Sequence, residues 1–460
     1  MIRFDRTRTA ADLLPRIERL FERSADKIRR LEGRWRPADG APVFTVAGTY
    51  TARGWTEWTE GFQYGSALLQ FDATGDREWL ALGRERTLSR MAPHLTHVGV
   101  HDHGFNNVST YGALWRLARE GRFDASPWET RFYELALKVS GAVQARRWTR
   151  LGDGGYIYSF NGAHSLFVDT IRSLRALALA HALGHRLVEE QDAQISLLTR
   201  LLQHARATAA HNVFYGTGGG PFDVRGRTAH ESLFNVANGT YRGPSTQQGY
   251  SPFSTWTRGL AWAMLGFAEE LEFLAALPAA AVDAAGVPDA LPAMLDAARA
   301  TCDFYIDRGA CADGIPYWDT GAPGLAALGD WGAHAADPFN DREPVDSSAA
   351  AIGAQGLLRC GRVLDARGED GARYTQAGLL VLDTLFAEDG PYVSRDDRHE
   401  GLLLHSVYHW PNGWDHVPAG ARVPRGESSQ WGDYHAREAA LYVQRLARNQ
   451  PYLTFYGGLA

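Results

Sequence analysis

No stretch of this 460-residue sequence is apolar for long enough to span a bilayer. Residues Met1 to Gly33 carry Arg3, Asp5, Arg6, Arg8, Arg16, Glu18 and Arg19 and lack the apolar run of a secretory leader, so they read as a helix. A positive balance is also missing: 47 Lys and Arg against 53 Asp and Glu leave a net charge of −6. Nucleic-acid binders normally present a basic face, so neither nucleic acid nor membrane is an expected partner. A small anionic ligand stays open, because one or two placed arginines suffice to hold it. Cysteine is scarce. Cys302, Cys311 and Cys360 have no metal-type spacing and read as buried or free thiols, although Cys302 and Cys311 are near enough in sequence to pair. Together these absences suggest a cytoplasmic protein. No G-x-G-x-x-G, P-loop, G-x-S-x-G or H-E-x-x-H pattern stands in its required context, so nucleotide, lipase-type and zincin chemistry have no support. No cofactor and no metal is expected.

What the sequence does hold is material for a large core, at 45% hydrophobic and 22% charged residues. Amphipathic segments of helical period recur from end to end. About twelve are legible, near 10–31, 58–74, 77–92, 105–119, 128–145, 164–183, 187–208, 254–276, 289–306, 346–364, 371–386 and 432–447. Thr74-Gly75-Asp76, Glu120-Gly121 and Leu183-Gly184-His185 are helix stops, and the short links predict antiparallel hairpins. The long connections 209–253, 307–345 and 387–431 all precede even-numbered helices, and loops of that length in a compact domain are usually functional. Six hairpins predict an all-α fold, an (α/α)6 barrel in one domain over 1–460 with the even helices inside. An α-solenoid is the alternative, but no repeat of fixed period is present. The Ala/Pro-rich stretch 279–300 reads as an outer turn and the start of a helix.

Polar motifs fall just before, or in the first turns of, the even helices: Gly54-Trp55-Thr56-Glu57-Trp58, His101-Asp102-His103-Gly104-Phe105, Ser165-Leu166-Phe167-Val168-Asp169, Thr246-Gln247-Gln248-Gly249-Tyr250, Asp346-Ser347-Ser348 and Trp431-Gly432-Asp433-Tyr434. If alternate helices share a direction, these entry points share one end, and the pattern suggests an enzyme. On a helical wheel Asp169 shares a strip with Ser165, Arg172, Ser173, Ala176 and Ala180, opposite Phe167, Ile171, Leu174 and Ala178. That strip suits the wall of a sugar-sized cavity; it equally suits a solvated face with an i,i+3 Asp–Arg pair. Asp102 is either an N-terminal cap or part of a dense polar cluster. A metal shared by His101, Asp102 and His103 is awkward, since neighbours in an extended segment point to opposite sides. The sequence has 14 Trp, and Trp55, Trp58, Trp148, Trp256, Trp262, Trp318, Trp331, Trp410, Trp414 and Trp431 sit in or beside the expected rim. Aromatic faces pack on the C–H faces of sugar rings, though some of these must serve ordinary core packing. Arg258, two residues after Trp256, is placed to clamp a carboxylate.

At these residues the sequence resembles the unsaturated glucuronyl hydrolases, glycoside hydrolase family 88. The matching stretches are His101-Asp102-x-Gly104-Phe105, the Asp169 helix start, Gln248-Gly249-Tyr250-Ser251-x-x-Ser254-x-Trp256-x-Arg258-Gly259-x-Ala261-Trp262, Gly314-Ile315-Pro316-Tyr317-Trp318-Asp319, Asp346-Ser347-Ser348-Ala349-Ala350-Ala351-Ile352 and Trp431-Gly432-Asp433-Tyr434. The resemblance runs from about Trp55 to Tyr442 and implies an (α/α)6 barrel. It implies Asp169 as general acid/base and Asp102 as the second active-site aspartate. It further implies substrate contacts from His230, Gln248 and Arg258, with Trp256 and Trp262 as aromatic pocket residues; Trp58 and Trp148 are expected to join them. The implied substrate is a lyase-generated oligosaccharide ending in a 4,5-unsaturated uronic acid. Departures lie in a longer segment between Trp148 and Asp169, in Pro252-Phe253, and at Gln247 and Leu260; they bear on the aglycone. The unsaturated rhamnogalacturonyl hydrolases, family 105, share the barrel and the paired aspartates and are the nearest competitor. An inverting glycosidase, a sugar epimerase using His101, His103, His230 and His405, and a non-catalytic carbohydrate-binding barrel are the other readings.

Overall fold

The computed structural model describes residues 1–3, 7–54 and 57–456, so Trp55 lies outside the described residues. The described chain is predominantly helical. In order the helices are α1 Leu14–Arg34, α2 Glu60–Thr74, α3 Arg77–Arg90, α4 Ala92–Leu95, α5 His103–Asn107, α6 Ala113–Arg119, α7 Pro127–Arg146, α8 Thr170–Ser173, α9 Arg175–Ala182, α10 Leu197–Asn212, α11 Thr257–Ala275, α12 Ala279–Ala284, α13 Ala290–Phe304, α14 Ser347–Ala366, α15 Ala372–Leu385 and α16 Gln430–Ala447. A π-helical segment, Val108–Gly112, carries α5 into α6.

Burial sorts the long helices into two kinds. α2, α11, α14 and α16 are buried on nearly every side. α1, α3, α7, α10, α13 and α15 bury one face and keep the other towards solvent, as amphipathic outer helices do. The buried helices touch in chain order: α2 packs on α5, α5 on α8 and α9, α8 on α11, α11 on α14, α14 on α16, and α16 on α2. Outside them α3 packs on α2, α7 and α10 on α9, α13 on α11, α15 on α14, and α1 on both α2 and α16. Turn chemistry sets the reversals. Gly75 (φ 77°) ends α2 in a left-handed conformation, and Asp76 then caps α3 by accepting from the Glu78 N–H.

Two expected helices begin later than the sequence pattern suggests. Ser165–Phe167 is a strand, paired antiparallel with Glu231–Phe234, which in turn pairs with Tyr241–Ser245. The segment before α10 forms a small hairpin of Leu187–Val188 with Gln194–Ile195, and Ser196 caps the helix by accepting from Thr199 N–H. The Ala/Pro-rich stretch also contains the short helix α12 before α13. All three cysteines are buried and free.

The interior is not uniformly apolar. Arg172 lies 2.7 Å from Glu269 and 2.9 Å from Glu438, and Arg359 lies 2.6 Å from Glu272, all on the buried helices. Arg172 is therefore no partner for Asp169 on a solvated face: it is fully buried and turned to carboxylates of α11 and α16. Removing one member of such a buried pair would strand a charge, at about 3–5 kcal/mol. Among the described residues no helix is long and apolar enough to cross a membrane.

Candidate active site

Asp102 and Asp169 stand immediately before α5 and α8, yet neither uses its side chain to cap its helix. Their carboxylates converge instead on one imidazole nitrogen. His101 Nε2 lies 3.1 Å from Asp169 Oδ1 and 3.7 Å from Asp102 Oδ1. The backbone of this corner is fixed from behind. The His101 carbonyl accepts from Gln144 Nε2 at 2.8 Å and from the Ser173 hydroxyl at 2.7 Å, and that hydroxyl accepts from Gly104 N–H at 2.9 Å. Only glycine fits at 104, because a Cβ there would sit 2.2 Å from the Ser173 carbonyl oxygen.

Burial pushes the Asp102 carboxyl above the ordinary carboxylate range, with the Asp169 charge adding to it and His101 opposing it. For His101 burial works downward, but the Asp102 charge and the Asp169 hydrogen bond outweigh it and raise the imidazole. His101 Nδ1 is buried with no hydrogen-bond partner among the described residues, so the proton that the ring shares with the aspartates sits on Nε2. The group can thus hold a proton close to Asp169.

The three-stranded sheet delivers a second set of residues. Val168 N–H donates to the His230 carbonyl at 2.9 Å, which fixes Asp169 beside the strand Glu231–Phe234. His230 Nδ1 accepts from the backbone N–H groups of Gln247 (3.0 Å) and Gln248 (3.3 Å), so its proton is on Nε2, and burial lowers its pKa to about 4. Gln248 Oε1 accepts from Arg258 Nη2 at 2.8 Å, which leaves the amide N–H groups of Gln248 as donors towards the cavity that this residue lines. Arg258, in the first turn of α11, is buried and held between Trp256 (4.5 Å) and Trp431 (5.0 Å). Nη1 bonds Asp346 Oδ2 at 2.8 Å and the Val407 carbonyl, and Nη2 bonds the Tyr408 carbonyl at 2.7 Å besides Gln248. The residue expected to clamp a carboxylate is thus already engaged by four acceptors, and it lines the cavity as a charge more than as an open fork.

The cavity bounded by these groups has a volume of about 420 Å³. Trp58, Trp256, Trp262, Trp414, Phe105, Phe160, Phe167 and Tyr408 supply its aromatic walls. Other expected members stand further back. Trp431 stacks behind Trp58 at 5.2 Å and donates to the Ser348 hydroxyl. Asp346 caps α14 through Ser348 and Ala349 N–H while pairing with Arg258. His230 lies behind Phe167, 4.4 Å between ring centres. Trp148 is not brought to the cavity: it forms a hairpin strand, and the Arg200 guanidinium covers its ring at 4.3 Å. Trp318 is buried on Glu343, and neither Trp331 nor Trp410 lines the cavity. The histidines considered for an epimerase do not face one another across it, since His103 is bonded to Ser140 and the His97 carbonyl while His405 packs on Phe339 and Tyr392.

Glu57, from the polar motif before α2, also lines the cavity, and sequence reasoning passed over His97, Val100, Phe160, Tyr408 and His409, which line it too. Phe160 comes from the lengthened segment between Trp148 and Asp169, so that length was its signal. Among the described residues no three His, Cys, Asp or Glu side chains are grouped to hold a metal ion.

No protein-family model matches the chain. It is 27% identical over 403 residues to the unsaturated glucuronyl hydrolase of Bacillus sp. (strain GL1), covering 85% of this chain and 87% of that protein. It is 24% identical over 396 residues to the unsaturated chondroitin disaccharide hydrolase of Streptococcus pyogenes serotype M1, covering 84% of this chain and 81% of the relative. Among solved structures, an unsaturated glucuronyl hydrolase specific for heparin superimposes with a TM-score of 0.71 at 19% identity, over 95% of this chain and 98% of that one.

Proposed function

We propose that the chain belongs to the unsaturated glucuronyl hydrolase family and hydrates the C4=C5 double bond of a 4,5-unsaturated uronic acid at the non-reducing end of lyase-generated oligosaccharides. We read the closed sequence of buried helices, each backed by an outer helix, as an (α/α)6 barrel forming one catalytic domain over 1–460. The convergence of Asp102 and Asp169 on His101 Nε2, inside an aromatic cavity, is the observation that carries the reaction.

In such a sugar C4=C5 is conjugated to the ring oxygen as a vinyl ether. Protonation at C4 develops oxocarbenium character over C5 and the ring oxygen, and water adds at C5. The resulting hemiketal opens, and the aglycone leaves as the product rearranges to a 4-deoxy keto-uronate. One water is consumed, and nothing is displaced directly at C1. Asp169 gives the proton to C4 and takes one from the attacking water, a cycle that a single positioned carboxyl can complete. Asp102, held towards its protonated form by burial, keeps the shared proton at hand. His101 fixes the two carboxyls relative to each other. The Gln248 amide, oriented by Arg258, contacts the uronate carboxylate, while Arg258 supplies the positive potential and His230 supports the Gln247-Gln248 backbone. Trp58, Trp256 and Trp262 pack on the sugar faces.

The test is a spectroscopic assay against a panel of lyase products. Hydration removes the conjugated chromophore, so ultraviolet absorbance falls with a keto acid appearing in step. Release of the aglycone with the absorbance retained would mean ordinary glycosidic cleavage and would sink the proposal.

A further inference from the structure

We infer that the sugar on the leaving side of the bond is uncharged, and that Glu57 helps to exclude aglycones bearing sulfate; this rests on the activity proposed above. The cavity divides by exposure. Its floor is buried and holds Asp102, Asp169, His101 and Arg258, whereas Glu57, His97, Val100, Phe160, Gln247 and Trp414 are half-buried or exposed and form the mouth, with the half-buried Trp58 and Gln248 at its inner edge. A uronate at the floor leaves its aglycone at that mouth.

Among the described residues lining the cavity there is one Arg and no Lys. That Arg258 lies at the floor with its charge met by Asp346 at 2.8 Å. The mouth histidine, His97, is lowered by burial and by His94, so it is neutral at neutral pH. The nearby Arg53 does not line the cavity: it lies 4.5 Å over the Trp414 ring and donates to the Trp414 carbonyl at 3.3 Å. Among the described residues lining the mouth Glu57 is then the one Asp, Glu, Lys or Arg, and its carboxylate works against the lowering of His97.

A sulfate is bound through charge-assisted hydrogen bonds from cations or clustered N–H donors. Brought to this mouth, it would lose hydration without a cation among the described lining residues to replace it, and would face a like charge. A neutral sugar ring meets the opposite conditions, since Phe160 and Trp414 offer aromatic faces and Gln247 a side-chain amide. Selectivity here comes from a repulsive element as much as from an attractive one.

The experiment compares an unsaturated uronate linked to N-acetylgalactosamine with the same disaccharide carrying a 6-sulfate. The ratio is read twice, as kcat/KM on the wild-type protein and as Kd on the Asp169→Asn variant. Both should favour the unsulfated sugar by about tenfold or more, and Glu57→Gln should narrow the ratio about threefold. Raising the ionic strength from about 20 to about 200 mM should narrow it in the wild type and hardly at all in Glu57→Gln. Equal or better use of the sulfated sugar, a sulfated rate that falls with salt, or no change in Glu57→Gln would overturn the inference. Should neither disaccharide turn over, the activity itself is refuted, and the Kd ratio still decides the aglycone.

Discussion

At the scale of single residues, a carboxylate's role in this site follows from what its oxygens already hold. Asp346, Asp102 and Asp169 each stand at a helix start, but only Asp346 spends its oxygens on the helix N–H groups and an arginine. Asp102 and Asp169 are left to the cavity, so Asp169→Asn should cut kcat by far more than tenfold, about 1.4 kcal/mol of barrier, while substrate still binds. Steady-state rates within tenfold of wild type would remove Asp169 from the acid/base role. Arg258 and Gln248 should separate by a different measure. Arg258→Ala strands Asp346 in the interior and should lower thermal stability by about 3–5 kcal/mol besides weakening binding. Gln248→Ala should raise KM about tenfold with little change in Tm, because Gln248 is only half-buried. An unchanged KM in Gln248→Ala would show that the uronate is held elsewhere. The His-Asp-x-Gly-Phe and Gln-Gly-Tyr stretches made Asp102, Asp169, Gln248 and Arg258 legible in the sequence. The four acceptors around Arg258 were not, because they come from segments 10 to 150 residues away.

At the scale of the element, α11 turns Glu269, Glu270 and Glu272 into the protein. Glu269 and Glu272 have arginine partners, whereas both oxygens of Glu270 are buried with no hydrogen-bond partner among the described residues. Burial, then the Glu269 charge, pushes Glu270 well above the ordinary 4.5. The native state therefore keeps a proton that the unfolded chain releases. Stability from this group is complete below about pH 4.5 and drains away as pH rises towards the raised native pKa, at about 1.4 kcal/mol per unit. Glu270→Gln cannot ionise, so its melting temperature should exceed that of wild type at pH 8 and converge with it near pH 5. Parallel Tm–pH curves would show that Glu270 is ionised in the folded protein. The helices themselves were readable, since period and stop signals are local. Ser165–Phe167 was not, because its β partner lies more than sixty residues on at Glu231–Phe234 and apolar periodicity alone does not distinguish a short strand from a helix start. The surroundings of Arg172, left open between a cavity wall and a solvated face, were hidden for the same reason: the carboxylates that draw it inward belong to other helices.

At the scale of the whole molecule, each buried helix depends on two neighbours, and α16 completes the sequence by packing on α2. A single heat-absorption peak is expected, with activity lost over the same interval; two resolved transitions would divide the chain into independent units. The proposed chemistry moves a proton between a carboxyl, C4 and water, so turnover should survive dialysis against a chelator. Complete loss, restored by one divalent ion, would contradict that mechanism.

The stack of Trp58 on Trp431 joins the entrance to α2 with the first turn of α16, separated by most of the sequence. During synthesis the first of these rings leaves the ribosome long before the second exists. That aromatic wall of the cavity is therefore without its backing ring for nearly the whole of translation, and Trp58 must wait for the residue that later covers it. No nascent fragment ending before α16 can present Trp58 backed by Trp431, so that wall of the cavity is completed only once α16 has been made.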